Sequence, residues 1–216
     1  MRKVLGKIWR IIRIPFFVIL VLYIGVVIYR IPAAIERSDT KEAVDFIHSQ
    51  KLTMNDVLGK NLPPEPDAKL NNSTLQGIDA NNNGIRDDAE LAIFKLYPDS
   101  ARQRSGALQY AKALQMHFSD KIFNSKTFVA VIQEEGRGES CFYHSLPSKD
   151  IKSAKTDAEA SKAFAVKDIQ KENLYNLIMN TKERKNKEET NYEKYMTTFS
   201  SLGSPYCDID PLTLDN

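Results

Sequence analysis

The sequence predicts an all-α protein, an N-terminal transmembrane helix followed by an irregular helical bundle. Three observations carry this: Ile14 to Tyr29 is a charge-free apolar run between Arg13 and Arg30, apolar residues recur at helical spacing from Glu90 onward, and strand-like alternation is missing. A chain of 216 residues with 42% hydrophobic and 27% charged composition fits one compact domain plus appendages, and is neither wholly disordered nor disulfide-dense. The expected organisation is a basic cytoplasmic segment over 1–13, an anchor over 14–30, a helical stalk over 31–58, a Pro/Asn-rich linker over 59–78 and a helical domain over 79–216.

The apolar run of sixteen residues covers about 24 Å as a helix, short of a hydrocarbon core of about 30 Å. The flanking arginines can bridge the deficit by snorkelling, and Trp9 and Tyr29 suit the two interfaces. Pro15 falls in the first turn of the run, where a missing donor costs least. Arg2, Lys3, Lys7, Arg10 and Arg13 precede the run without any acid, so the positive-inside rule keeps the N-terminus cytoplasmic. A cleaved signal peptide is the rival, but its best cleavage site, around Pro32-Ala33-Ala34, lacks a small residue upstream. Either way residues 31–216 are expected outside the cytoplasm, and the favoured location is a bacterial inner membrane with the C-terminal domain in the periplasm. Without those five cations, 25 Lys+Arg face 28 Asp+Glu, a net of −3, so a nucleic-acid partner is not expected.

Two cysteines, Cys141 and Cys207, form an even pair in an exported chain and are expected to be disulfide-bonded. The rival is a Cys141 nucleophile with His144 one helical turn on, for which no orienting third group or family signature is present.

Residues 31–58 read as a helical stalk with Asp39 as its N-cap. Asn61-Leu62-Pro63-Pro64-Glu65-Pro66-Asp67 breaks any helix, and the overlapping sequons in Asn71-Asn72-Ser73-Thr74 read as a polar loop. Leu91, Phe94 and Leu96 mark a short helix stopped by Pro98, and Ser100 with Gln103 caps the next. A third helix fits Phe128, Val131 and Ile132 and runs toward Cys141, weakened by Gly136 and Gly138. Thr156 with Glu159 caps a fourth, Asn180 with Glu183 opens a fifth, and Gly203-Ser204-Pro205 ends it after Leu202. The charge run Lys182–Glu189 reads as a solvated face.

Chemistry is concentrated in Asp79-Ala80-Asn81-Asn82-Asn83-Gly84-Ile85-Arg86-Asp87-Asp88-Ala89-Glu90. Oxygen side chains stand at positions 1, 3, 5, 9 and 12 of a twelve-position loop with glycine at 6. Ca²⁺ is the expected ion, held by Asp79, Asn81, Asn83, the Ile85 carbonyl, Asp87 (directly or through water) and a bidentate Glu90. The competing reading is an Asx-rich turn whose Asp87 caps the following helix. The loop resembles EF-hand-like calcium loops, and is closer to the thrombospondin type 3 variety, with its aliphatic residue, Ile85, at the seventh position. The wider stretch from Pro63 to Glu90, with Asn180–Arg184 and the late Cys207, resembles an uncharacterised group of exported proteobacterial proteins, which implies no activity. Arg86 departs from the EF-hand pattern at the position that pairs sister loops, so a paired sensor that opens on binding is not expected.

Catalytic constellations are sparse. His48, His117 and His144 lack zinc spacing, and Glu134, Glu135 and Glu139 suit a solvated helix face better than an acid–base pair. The expectation is a membrane-anchored, non-enzymatic interaction protein with one structural calcium site and an unidentified protein partner. An immunity or inhibitor protein against an envelope-acting toxin is one concrete version. A periplasmic hydrolase using Cys141 or the glutamates is the alternative.

Overall fold

The first helix does not respect the edges of the apolar run. In the computed structural model, which describes residues 2–147 and 153–215, with side chains at 13 and from 15 onward, α1 is unbroken over Arg2–Ser49 and carries Pro15 and Pro32 in its interior. The helix is long and apolar enough to cross a membrane: its best 18-residue window has a mean hydropathy of 2.3 and none of it is buried. Asp39 sits inside α1 and caps nothing, because no glycine or proline between Pro32 and Ser49 offers a break. The side chains of Trp9 and of Arg2, Lys3, Lys7 and Arg10 lie outside the described residues.

The chain divides into two units, Met1–Glu42 and Ala43–Asn216. The first is α1 without its last turns. The second takes those turns and adds α2 (Met54–Val57), α3 (Ala68–Asn71), α4 (Asp87–Leu96), α5 (Ala101–Gln115), α6 (Ser125–Ser145), α7 (Asp157–Ile178) and α8 (Lys182–Tyr195), with 3₁₀ turns at Met116–Phe118 and Pro211–Thr213. Among the described residues there is no strand. Several expected caps are made. The Ser100 side chain accepts from Gln103 N, and Thr156 accepts from Glu159 N. The cap of α8 is Thr181, one residue past the expected Asn180, and the Asn180 amide oxygen accepts from Arg184 instead.

Every residue of α5 from Arg104 to Leu114 is buried, so this helix is the axis of the unit. Its polar side chains survive burial by finding carbonyls: Arg104 donates to Val57, Tyr97 and Pro98, and Gln109 to Tyr206. α5 and α6 approach closely because glycines stand at the crossing. A Cβ on Gly106 would lie 2.9 Å from Phe142 Cα, and one on Gly138 would lie 2.9 Å from Tyr110 Cα. Gly138 therefore does not weaken α6 as its intrinsic propensity suggests; the packing it permits outweighs that cost of about 1 kcal/mol. The main core gathers Ile85, Ala89, Ile93, Leu108, Leu114, Phe118, Phe142, Leu174 and Ile178. A smaller cluster joins Ile47 at the end of α1 to Phe128, Val131 and Ile132 of α6.

The last helix stops early. α8 ends at Tyr195, and Met196, Phe199 and Leu202, expected on its apolar stripe, lie in an extended strap. The strap is held along its length: Gln133 donates to Ser200 O (2.7 Å), Gln109 to Tyr206 O (2.8 Å), and Arg137 to Asp208 (2.8 Å). Cys207 closes it onto α6 through a disulfide to the fully buried Cys141, Cα to Cα 5.0 Å. Side chains of α5 and α6 supply backbone partners that a continued helix would have made internally.

Candidate metal centre

The loop is entered from a turn, not a helix, since α3 ends at Asn71. The Asn71 amide oxygen accepts from Ile78 N (2.8 Å), and Asp87 N donates to Ile78 O (2.8 Å), which closes the neck. Within it, Asp79 accepts from Asn83 N with Oδ1 (3.1 Å) and from Gly84 N with Oδ2 (2.9 Å). Two such bonds require the chain to double back within five residues, and it does so with Asn82 at φ 55° and Gly84 at φ 84°, the left-handed region that glycine and asparagine tolerate. The Asn83 amide oxygen accepts from Ile85 N (2.9 Å), while the Ile85 side chain is fully buried in the main core. The loop is thus anchored to the domain at its seventh position.

The side chains at positions 3 and 5 meet the one at position 12, while those at positions 1 and 9 bond backbone N–H groups of the loop. Glu90 is 1% exposed, and its two oxygens accept from Asn81 Nδ2 and Asn83 Nδ2, each at 2.9 Å. Asp87, also 1% exposed, accepts from Ala80 N across the loop with Oδ1, and its Oδ2 has no partner. Asp87 stands at the first helical position of α4; the N-cap is Arg86, which makes no capping bond from its side chain. Burial pushes the Glu90 carboxyl up to about 7, Asp56 and Asp79 add repulsion, and the two amides only partly offset this. Asp87 is raised too, by burial first, with its bond to Ala80 opposing and the charges of Asp79 and Asp88 adding. Two carboxyls of this loop are thus buried and disfavoured as anions, one with an orphaned oxygen, and these oxygens are the groups here that a hard divalent cation could use. Among the described residues no group of three or more His, Cys, Asp or Glu side chains is assembled for a metal, so the donor set here depends on its asparagines and a backbone carbonyl.

Sequence reasoning missed the residues that hold this loop in place. Arg86 is fully buried: Nη1 donates to Ile178 O (3.1 Å), Nη2 to Leu177 O (2.9 Å), and Nε pairs with Asp88. The loop is thereby fastened to the C-terminus of α7, a place where a cation is favoured. Arg184 is 1% exposed and donates to Leu75, Asn71 and Thr74 carbonyls and to the Asn72 and Asn180 amide oxygens. It organises the segment that feeds the loop, including the expected polar turn at Asn71–Thr74. The charge run read as solvated therefore has an inward face, and Arg184, Glu188 and Asn191, at helical spacing, are its signal.

Candidates for catalysis are occupied otherwise. The disulfide leaves Cys141 no thiol, which overturns the nucleophile reading. Glu134 joins Arg137, His48 and Lys51 in an ion cluster whose Glu134 and Arg137 are buried and whose Lys51 is exposed, with the buried Asp208 side chain on the strap completing it. Glu135 meets the buried His117 (2.9 Å), and Glu139 meets Lys171 (2.9 Å). His144 Nδ1 donates locally to Ser140 O, and the ring stacks on Tyr206. Glu135 and Glu139 also line a groove of about 690 Å³ between α6 and the strap, walled by Tyr143, Tyr192, Phe199 and Tyr206. Comparison with protein-family models, with curated proteins and with solved structures gives no match for this chain.

Proposed function

We propose that this chain is a single-pass bacterial inner-membrane protein whose periplasmic helical unit carries one structural Ca²⁺ and works as a non-enzymatic interaction protein. The observation that supports the calcium part is the Asp87 carboxyl, buried with one oxygen unpartnered in a loop whose Glu90 is also buried. Asp79, Asn81, Asn83, Asp87, Glu90 and the Ile85 carbonyl would hold the ion, which supplies positive charge to carboxyls that burial otherwise disfavours. The ion acts as a staple: it ties the start of α4 to the loop, and Arg86 extends that tie to α7. A single loop without a sister offers no opening movement, so affinity in the weak extracellular range of about 10⁻⁴ to 10⁻³ M is expected.

The anchor and orientation rest on the exposed apolar stretch of α1 and on the cations that precede it in the sequence. The disulfide suits an oxidising compartment. Catalysis is not part of the reading, because the thiol is bonded and each glutamate of α6 has a structural partner. A reporter that works only after export, fused behind Asn216, is expected to be active, and a cytoplasmic reporter at the same place silent; the reverse pattern overturns the orientation. A mature N-terminus near Ala34 removes the anchor.

A further inference from the structure

Among the charged groups near the loop, one cation stands out because it comes from another element and is held over the glycine turn. Lys112, on the buried axis helix α5, is only 6% exposed. A Cβ placed on Gly84 would lie 3.1 Å from Lys112 Cε and 3.7 Å from its Nζ, so the lysine stem packs directly on position 6 of the loop. Its ammonium donates to Lys51 O (2.9 Å). The Lys112 pKa is lowered from its ordinary value, by burial first and also by the charge of Lys51, with Asp56, Asp208 and Asp79 opposing in part. A polar groove of about 430 Å³ opens beside it, bordered by Lys51, Asp56, Asn61, Asn81, Asn83 and Lys112 itself. The groove is the side from which solvent reaches the asparagine ligands.

We infer that Lys112 is a built-in counter-charge to the loop, stabilising its ion-free state and thereby setting how weakly it holds a divalent cation. The inference rests on the calcium reading above. The reasoning is linkage: a fixed positive charge attracts Asp79 and its neighbours when no ion is present and repels the ion when it arrives, so whatever it adds to the first state it subtracts from binding. Gly84 is required twice in this arrangement. Its φ of 84° makes the turn, and its missing side chain admits the lysine stem. The Lys112 ammonium hydrogen-bonds Lys51 O and none of the expected ligands, so its effect on an ion is through the field at the loop.

The test is calorimetric titration of CaCl₂ into the full chain in detergent micelles, with wild type, Lys112→Met, Lys112→Gln and Lys112→Arg in parallel. Removing one positive charge that faces a divalent ion should tighten calcium binding several-fold in the Met and Gln chains. The Arg chain should bind as wild type does. The ion-free Met and Gln chains should also melt lower than wild type and gain more from calcium. A merely structural lysine predicts the opposite, weaker binding in every variant. Met and Gln affinities equal to or below wild type overturn the role of Lys112 while leaving the calcium site intact. Absence of calcium binding in all four chains overturns the calcium reading and Lys112 with it. Lys112→Gln keeps a polar group near Lys51 O, so the comparison stands if the Met chain folds poorly.

Discussion

Replacing Arg184 with methionine should destabilise the helical unit far more than a change within a highly charged helix ordinarily does. The guanidinium makes five hydrogen bonds, to Leu75 O (2.9 Å), Asn71 O (2.9 Å), Thr74 O (3.2 Å), Asn72 Oδ1 (2.9 Å) and Asn180 Oδ1 (2.6 Å), with no carboxylate among its hydrogen-bond partners. Burial and the nearby Arg86 pull its pKa down to about 10, so it remains a cation at neutral pH. Truncation leaves five acceptors without this donor; Asn71 is buried and Leu75 half-buried, whereas Asn72, Thr74 and Asn180 are exposed and can turn to water. At about 1 kcal/mol for each poorly hydrated acceptor, together with the lost packing of a buried side chain, the loss should be about 2–4 kcal/mol. For a chain of this size that corresponds to a fall in Tm of roughly 4–16 °C. Arg184→Lys keeps the charge but has three donors and no fork, so it should recover less than half of the loss. Thermal melts followed by far-UV circular dichroism on the full chain in detergent measure both. A Tm for Arg184→Met within a few degrees of wild type would refute the view that this arginine organises the loop's approach.

The remaining expectations concern the strap and its ion cluster. Cys141 and Cys207 should be recovered bonded by non-reducing mass spectrometry. Replacing both with serine should cost about 4 kcal/mol on the chain-entropy account for a separation of 66 residues, seen as a lower Tm under oxidising conditions only. Burial alone would raise the Glu134 carboxyl, but His48, Arg137 and Lys51 outweigh it and hold its pKa below the ordinary 4.5. A carboxyl depressed in the folded state adds stability above its unfolded pKa and loses it as pH falls through the folded value. Stability should therefore drop below about pH 4.5, and Glu134→Gln should flatten that part of the pH–Tm curve.

Much of the fold could be read from the residues because local signals and tertiary packing agreed. Ser100 and Thr156 cap where their side chains must, Pro98 stops α4, and the apolar spacing of Leu108, Ala111 and Leu114 belongs to a buried helix. The failures share a cause. Phe199 and Leu202 continue a helical stripe in sequence, yet the disulfide and the side chains of Gln133 and Gln109 draw that segment out as a strap. Periodicity cannot anticipate a partner contributed by a distant element. Arg86, Arg184 and Lys112 were illegible as interior residues for a related reason: their burial depends on carbonyls and carboxylates that only the folded chain collects around them. The turn within the loop was legible because Asp79, Asn82, Asn83 and Gly84, which make it, lie close together in sequence, and a local turn needs no tertiary information to be recognised.

The central claim is that residues 79–90 take a calcium ion as a structural staple, and the melting temperature with and without calcium tests it most directly. If the ion binds only the folded chain, calcium at ten times Kd adds about 1.4 kcal/mol, a rise in Tm of roughly 3–6 °C. Asp79→Ala and Glu90→Ala should each abolish that rise. Asp88→Ala should lower the starting Tm, because Asp88 pairs with the buried Arg86, but should keep the calcium increment. Magnesium, which demands a smaller octahedral shell, should substitute poorly. A melting curve unmoved by millimolar calcium, or equal calcium responses from Asp79→Ala and Asp88→Ala, would contradict the account and leave the loop a turn that opens α4.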